Sequence, residues 1–252
     1  MQFEFHNQAI VVNTPSRAAL MAELRRRFAA RDGFALATVN LDHLVKMRAS
    51  TAFTKAYAEQ DLVVADGWPI VSLSRLAGCE VELMPGSDMV LPMCELATEM
   101  GVKIGFVGST PEALEAARTA LQTRVPGLKV AFLHAPPMGF DPENDAAGAI
   151  LQDLAAQDVA MCFLALGAPK QEAFAARGRR ETPGVGFASI GAGLDFLSGR
   201  QNRAPLWVRK GRMEWLWRAL SNPMRLGPRY AKCLAILPGQ ALKAWRLGRL
   251  GS

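Results

Sequence analysis

VAMCFLALGAPKQE, residues 159–172, decides how this chain folds. Eight uncharged, mostly large apolar residues run without a polar interruption. A glycine and a proline then fix the turn, and three polar residues open a helix near 171–180. A strand with no polar alternation is buried on both faces, as strands are in a parallel sheet covered by helices.

The same unit recurs on either side. FALATVN (34–40), LVVAD (62–66), VKIGFVG (102–108), LKVAFLHA (128–135) and GVGFASIG (184–191) read as buried strands. Between them the spacing predicts helices over 16–31 (Ser16 as cap), 42–59, 111–125 and 144–157. The segment 68–100 reads as helical pieces broken by Pro69, Gly78, Pro85-Gly86 and Pro92. Residues 2–12 alternate enough for a strand or hairpin arm. The expected fold class is α/β: a Rossmann-like, mostly parallel sheet with helices on both faces. Right-handed crossovers put every strand's C-terminal end on one edge, where ligands bind in such sheets. The residues at that edge are Thr38 and Asn40, Asp66 and Gly67, Gly108 and Ser109, Gly167 to Glu172, and Gly191 to Asp195.

Charge divides the chain. From Arg200 to Ser252 there are twelve Lys and Arg against one acid, Glu214, a net +11; the chain totals +6, so residues 1–199 carry −5. A Rossmann-like body over 1–199 and a basic, Trp-rich helical appendage over 200–252 are therefore expected, the latter for a negatively charged partner. Trp207, Trp215, Trp217 and Trp245 among arginines suit helices packed on the body, and equally an interfacial helix facing anionic headgroups. The acid-free run AKCLAILPGQALKAWRLGRL (231–250) favours a membrane surface, and tryptophans beside leucines do not form the spaced stacking platforms of a nucleic-acid binder.

At 252 residues and half hydrophobic, the chain has ample core. No apolar run reaches the ~18 residues of a membrane span, and the first residues lack the pattern of a signal peptide. Four scattered cysteines and three histidines argue against a zinc site or a disulfide framework, and point to the cytoplasm. The dinucleotide fingerprint GxGxxG is absent, which counts against an NAD enzyme. No D-x-D pair is present to hold a divalent cation on a sugar-nucleotide diphosphate, so Arg, Lys and helix N-termini would have to offset that charge.

Individual motifs carry two readings each. Gly108-Ser109-Thr110-Pro111 suits a phosphate at a helix start, and is also an ordinary strand-to-helix turn. Asp66-Gly67 is a turn signal, but at the binding edge beside Thr38 and Asn40 its carboxylate is placed to take a proton from a sugar hydroxyl. In Gly167-Ala-Pro169-Lys170-Gln171-Glu172 a rigid loop presents Gln171 for recognition, while Lys170 and Glu172 are equally accounted for by solvation.

TVNLDHLV (38–45), ADGWPIV (65–71), PGSD (85–88), LGAPKQE (166–172) and GAGLDFLSGRQNRAPLWVRKGRMEWLWRALSNPMRLGPRY (191–230) occur in one order over residues 34–230. Together they resemble the WecG/TagA/CpsF glycosyltransferases. The resemblance implies an inverting transferase that moves a sugar from a UDP-sugar to a polyprenyl-diphosphate-linked saccharide for cell-surface polymers. The sugar would be N-acetylmannosamine, its uronic acid, glucose or glucuronic acid. It implies Asp66 as catalytic base and Thr38, Asn40 and Gln171 near the sugars. Gly67, Gly108, Ser109, Gly167, Pro169, Lys170, Glu172 and Asp195 complete the expected substrate site. Arg203, Arg209, Arg212, Arg218, Arg225 and Arg229 are expected at the lipid diphosphate and the membrane. No cofactor and no metal are expected, and the enzyme would sit peripherally on the inner face of the plasma membrane, with a homo-oligomer possible. The alternative from the residues is a non-catalytic nucleotide- or lipid-binding Rossmann module docked on the membrane by its tail.

Overall fold

The structure, a computed structural model, describes residues 1–191, 193 and 223–250. It opens with an antiparallel hairpin, β1 (Gln2–Phe5) and β2 (Gln8–Val11). The two linking residues, His6 and Asn7, have φ of 50° and 60°, the conformation that matches the twist of a two-residue hairpin. Phe3, Phe5 and Ile10 turn inward.

Six parallel strands form the central sheet: β3 (Ala35–Val39), β4 (Leu62–Ala65), β5 (Lys103–Gly108), β6 (Lys129–His134), β7 (Val159–Ala165) and β8 (Gly186–Ser189). Their spatial order is β4-β3-β8-β7-β5-β6. Side chains alternate between two cores, as the period of a strand requires. Leu36, Val64, Phe106 and Phe163 meet α1 (Arg17–Ala30), α5 (Gly86–Glu99) and α6 (Pro111–Arg124) on one face. On the other face, Val107, Leu164 and Phe187 meet α7 (Asp145–Ala156) and α8 (Lys170–Glu181). Farther along that face, Ala37, Val39, Val63 and Ala65 meet α2 (Leu41–Ala49), α3 (Thr51–Ala58), α4 (Trp68–Leu76) and the hairpin.

Ser16 caps α1 as expected, its side chain accepting from the Ala19 N–H at 3.1 Å. Two expectations are corrected. The run 42–59 is two helices, because Ser50 is extended (φ −140°, ψ 112°) and caps α3 by accepting from the Phe53 N–H. Pro92 does not break α5, which runs through it. Proline inside a helix costs ~3 kcal/mol, and burial of Met89, Val90, Met93, Cys94, Leu96 and Ala97 on both sides of it offsets that cost.

The last described element, α9 (Pro223–Leu250), has two faces. Cys233, Ile236, Gln240 and Ala244 are buried at helical spacing, with Ile236 and Ala244 in the α2–α4–hairpin core. Leu234, Leu242, Trp245 and Leu247 are exposed on the remainder. Gly248 lies so close to α4 that a Cβ there would sit 2.6 Å from the Leu76 carbonyl oxygen.

Candidate active site

The parallel register pairs Val39 with Ala65, so the next residues on each strand, Asn40 and Asp66, leave the sheet side by side. The Asp66 N–H donates to the Val39 carbonyl at 2.8 Å. Asn40 does two things at once: its Oδ1 caps α2 by accepting from the His43 N–H at 3.1 Å, and its Nδ2 reaches Asp66 Oδ2 at 3.4 Å. The carboxylate is thereby oriented by a side chain that a helix start holds still. Gly67 has φ 108°, a conformation open to glycine. It lets the chain turn directly into α4, with Pro69 in the first helical turn. Thr38 is 4% exposed, and its hydroxyl donates to the Ser189 carbonyl at 3.3 Å, tying β3 to β8.

The Gly167 loop closes the same site from β7. Gly167 has φ 74° and the Ala168–Pro169 peptide is cis. Lys46 of α2 donates to the Ala168 carbonyl at 3.1 Å and pairs with Asp42 at 3.0 Å. The loop does not hold Gln171 and Glu172 out to solvent, since they are 2% and 0% exposed. Gln171 Nε2 donates to Glu172 Oε1 at 2.9 Å, and Gln171 Oε1 accepts from the Gly191 N–H at 3.2 Å. Gln171 therefore shapes the exit of β8 from behind. Solvation of Glu172 is likewise set aside. Burial pushes its carboxyl up to about 7, because a charge is costly where water is excluded.

Three residues under the site went unnoticed in the sequence. The Tyr57 hydroxyl lies 3.1 Å from His43 Nδ1. Burial, and then the Lys46 charge, push the His43 imidazole down to about 3. Burial raises the Tyr57 phenol well above its usual value, helped by the nearby carboxylates of Glu172 and Asp66. His43 and Lys46 lie three and six residues past Asn40, within the first two turns of the helix that Asn40 caps, and that nearness to the strand edge was their signal in the sequence. Tyr57 carried no such signal in an amphipathic helix.

Gly108 and Ser109 form a tight turn with φ of 121° and 55°. A Cβ on Gly108 would lie 2.4 Å from the Ala165 oxygen, which also accepts from the Ser109 N–H at 3.2 Å. Thr110 caps α6. The strand order puts four steps between β4 and β5, about 19 Å at the usual ~4.8 Å spacing. On that spacing, a phosphate held at this turn would stand well away from Asp66. Nearer to Asp66, Gly167 and Gly191 both have positive φ and open space where a Cβ would project. Lys170 begins α8 there, and no side chain caps that helix start.

Of the appendage arginines, Arg229 is placed against α2, its guanidinium 2.9 Å from Asp42 Oδ2. Arg225 lies on the α9 backbone, and Asp195, Arg203, Arg209, Arg212 and Arg218 lie outside the described residues. Among the described residues no group of three or more His, Cys, Asp or Glu is gathered to hold a metal.

The family model for the glycosyl transferase WecG/TagA/CpsF family matches residues 7–250. The chain belongs to that family. Two curated relatives, from Staphylococcus aureus strains MW2 and NCTC 8325, are each 28% identical over 177 residues, covering 70% of this chain and 67% of theirs. Both are named N-acetylglucosaminyldiphosphoundecaprenol N-acetyl-beta-D-mannosaminyltransferase. Membership of a glycosyltransferase family makes this chain an enzyme of sugar transfer, and the polar edge around Asp66 is its candidate active site.

Glu172 gives a test of the buried layer. Its folded carboxyl titrates near 7 and its unfolded one near 4.5, so between those values the unfolded chain has released a proton that the folded chain keeps. Stability attributable to Glu172 is thus present below about pH 4.5 and falls as pH rises to about 7. The stability difference between Glu172→Gln and wild type, from urea unfolding, should grow in favour of the variant over that window and level off above it. A difference independent of pH would place Glu172 in water.

Proposed function

We propose that this chain is an inverting glycosyltransferase that moves a sugar from a UDP-sugar to a polyprenyl-diphosphate-linked saccharide. The relatives' names make N-acetylmannosamine and an N-acetylglucosaminyl-diphosphoundecaprenol acceptor the first pair to assay; its uronic acid, glucose and glucuronic acid are the other donor sugars to include. The observation that carries the reading is the Asn40–Asp66 pair. Asp66 takes the proton from the acceptor hydroxyl as its oxygen bonds to the anomeric carbon. The carbon–oxygen bond to the diphosphate breaks on the opposite face, and UDP leaves with the bonding electrons.

The diphosphate is best accommodated over Gly167, Gly191 and the uncapped start of α8, where Lys170 and the helix dipole offset its charge. Gly108 and Ser109 then serve the nucleoside end of the donor. A non-catalytic nucleotide- or lipid-binding module would not need a carboxylate oriented at the strand edge, and the family match also favours transfer.

The exposed side of α9 supports membrane docking. Leu234, Leu242, Trp245 and Leu247 lie among Lys232, Lys243, Arg246 and Arg249, and the Arg249 guanidinium stacks 4.0 Å from the Trp245 ring centroid. No helix of the described residues is long and apolar enough to cross a membrane. Each Lys or Arg near an anionic surface contributes ~1 kcal/mol, so four, with interfacial Trp and Leu, suffice for reversible binding on the inner leaflet.

Three outcomes are expected. Asp66→Asn should retain the fold and lose about 10²- to 10⁴-fold in kcat, the usual contribution of a general base; turnover within a few-fold of wild type would reduce Asp66 to a turn residue. Activity should persist in EDTA, because the sequence has no D-x-D pair; loss on chelation with recovery in Mg²⁺ or Mn²⁺ would show a metal on the diphosphate. The full chain should co-sediment with phosphatidylglycerol vesicles at low salt and be released at high salt. Protein that stays in the supernatant at low salt would leave α9 as packing alone.

A further inference from the structure

We infer that the cleft on the outer side of β4 seats the sugar of the acceptor, with Trp68 as its stacking surface. The inference rests on Asp66 being the base and goes beyond it by placing the acceptor. The cleft, about 610 Å³, is lined by Pro15, Ser16, Trp68, Arg75, Glu80 and Glu82 among others, within the size range of ligand sites.

Its position is fixed by hydrogen bonds around Asp66. Met84 N–H donates to the Ala65 carbonyl at 2.8 Å and Glu82 N–H to the Pro15 carbonyl at 2.7 Å. The segment carrying Glu80 and Glu82 therefore lies outside residues 13–15, which bond to the outer edge of β4 at Val63, and reaches β4 itself at Met84, bonded to the residue just before Asp66. Trp68, two residues after Asp66, is the first residue of α4 and faces the same cleft. In the chain, the base thus stands between Ala65, which holds one wall, and Trp68, which lines the other. β4 is the edge strand, so the cleft lies on the side of Asp66 away from Gly167, Gly191 and α8. An inverting displacement needs this division, because the incoming hydroxyl and the leaving diphosphate occupy opposite faces of the attacked carbon.

The lining fits a neutral pyranose. An indole face packs on the C–H face of a sugar ring, as aromatic side chains pack apolar surface while leaving polar groups at their edge. Glu82 Oε2 accepts from the Arg17 N–H at 2.8 Å; its other oxygen and the Glu80 carboxylate accept from hydroxyl or acetamido N–H groups, and Arg75 donates to ring and hydroxyl oxygens. Two carboxylates against one guanidinium repel a diphosphate, so neither UDP nor the lipid diphosphate enters. The acceptor's sugar occupies the cleft, and its diphosphate and lipid extend away.

The test uses the full chain, UDP-N-acetylmannosamine and a short-chain polyprenyl-diphosphate N-acetylglucosamine. Trp68→Ala should raise the acceptor KM about tenfold, with kcat at saturating acceptor and the donor KM within about twofold of wild type. Trp68→Phe should restore most of the loss. Glu80→Ala, at an exposed side chain, should raise the acceptor KM severalfold and decides the matter if Trp68→Ala does not fold. An acceptor KM unmoved by Glu80→Ala and by every folded Trp68 variant, or a rise in donor KM in its place, would overturn the assignment. These failures are separate from failure of the functional reading, which would show as no transfer by wild type.

Discussion

The site depends on one register. β3 and β4 pair so that Val39 faces Ala65, and the residues that follow, Asn40 and Asp66, are then adjacent without further arrangement. A slip of one residue would turn every side chain of β4 to the opposite core, exchanging Val64 with Val63 and Ala65 between the two packed faces and removing the 3.4 Å contact between the amide and the carboxylate. Burial of all four β4 residues and all five of β3 prevents that slip. The chemistry at the mouth of the sheet is therefore fixed by apolar packing below it.

A second constraint lies beneath. Glu172, Tyr57 and His43 are all buried, and burial favours the neutral form of each. This layer lies beneath Asp66, and beside it Lys46 bridges Asp42 and the Gly167 loop. Arg229 reaches the same Asp42 from α9, so the helix with the exposed basic face is fastened two residues beyond Asn40. Docking of α9 and the geometry of the site share one carboxylate.

The parallel sheet was legible because its strands are apolar without alternation, and helix starts such as Ser16 announced themselves by their caps. Asp66 and Asn40 were legible as strand-end polar residues. Four features were not. The break at Ser50 looks like one amphipathic run, because both pieces bury the same face. Pro92 reads as a helix breaker, because the packing that outweighs it comes from the sheet and not from neighbours in sequence. Strand order was hidden as well, and with it the distance from Gly108 to Asp66: β7 and β8 insert between strands that precede them in the chain. A linear reading places all strand ends at one edge but cannot measure along it. The buried state of Gln171 and Glu172 was masked by their polarity, since two adjacent polar residues that satisfy each other look like a solvated helix start.

The central claim is a single displacement at the anomeric carbon, driven by Asp66 from the side opposite UDP. The most direct measurement is the configuration of the new glycosidic bond, by NMR of the product formed from an α-linked UDP-sugar and a short-chain polyprenyl-diphosphate acceptor. The account predicts a β-linked product, with UDP released only when acceptor is present. An α-linked product, or UDP release unaffected by acceptor, would contradict it.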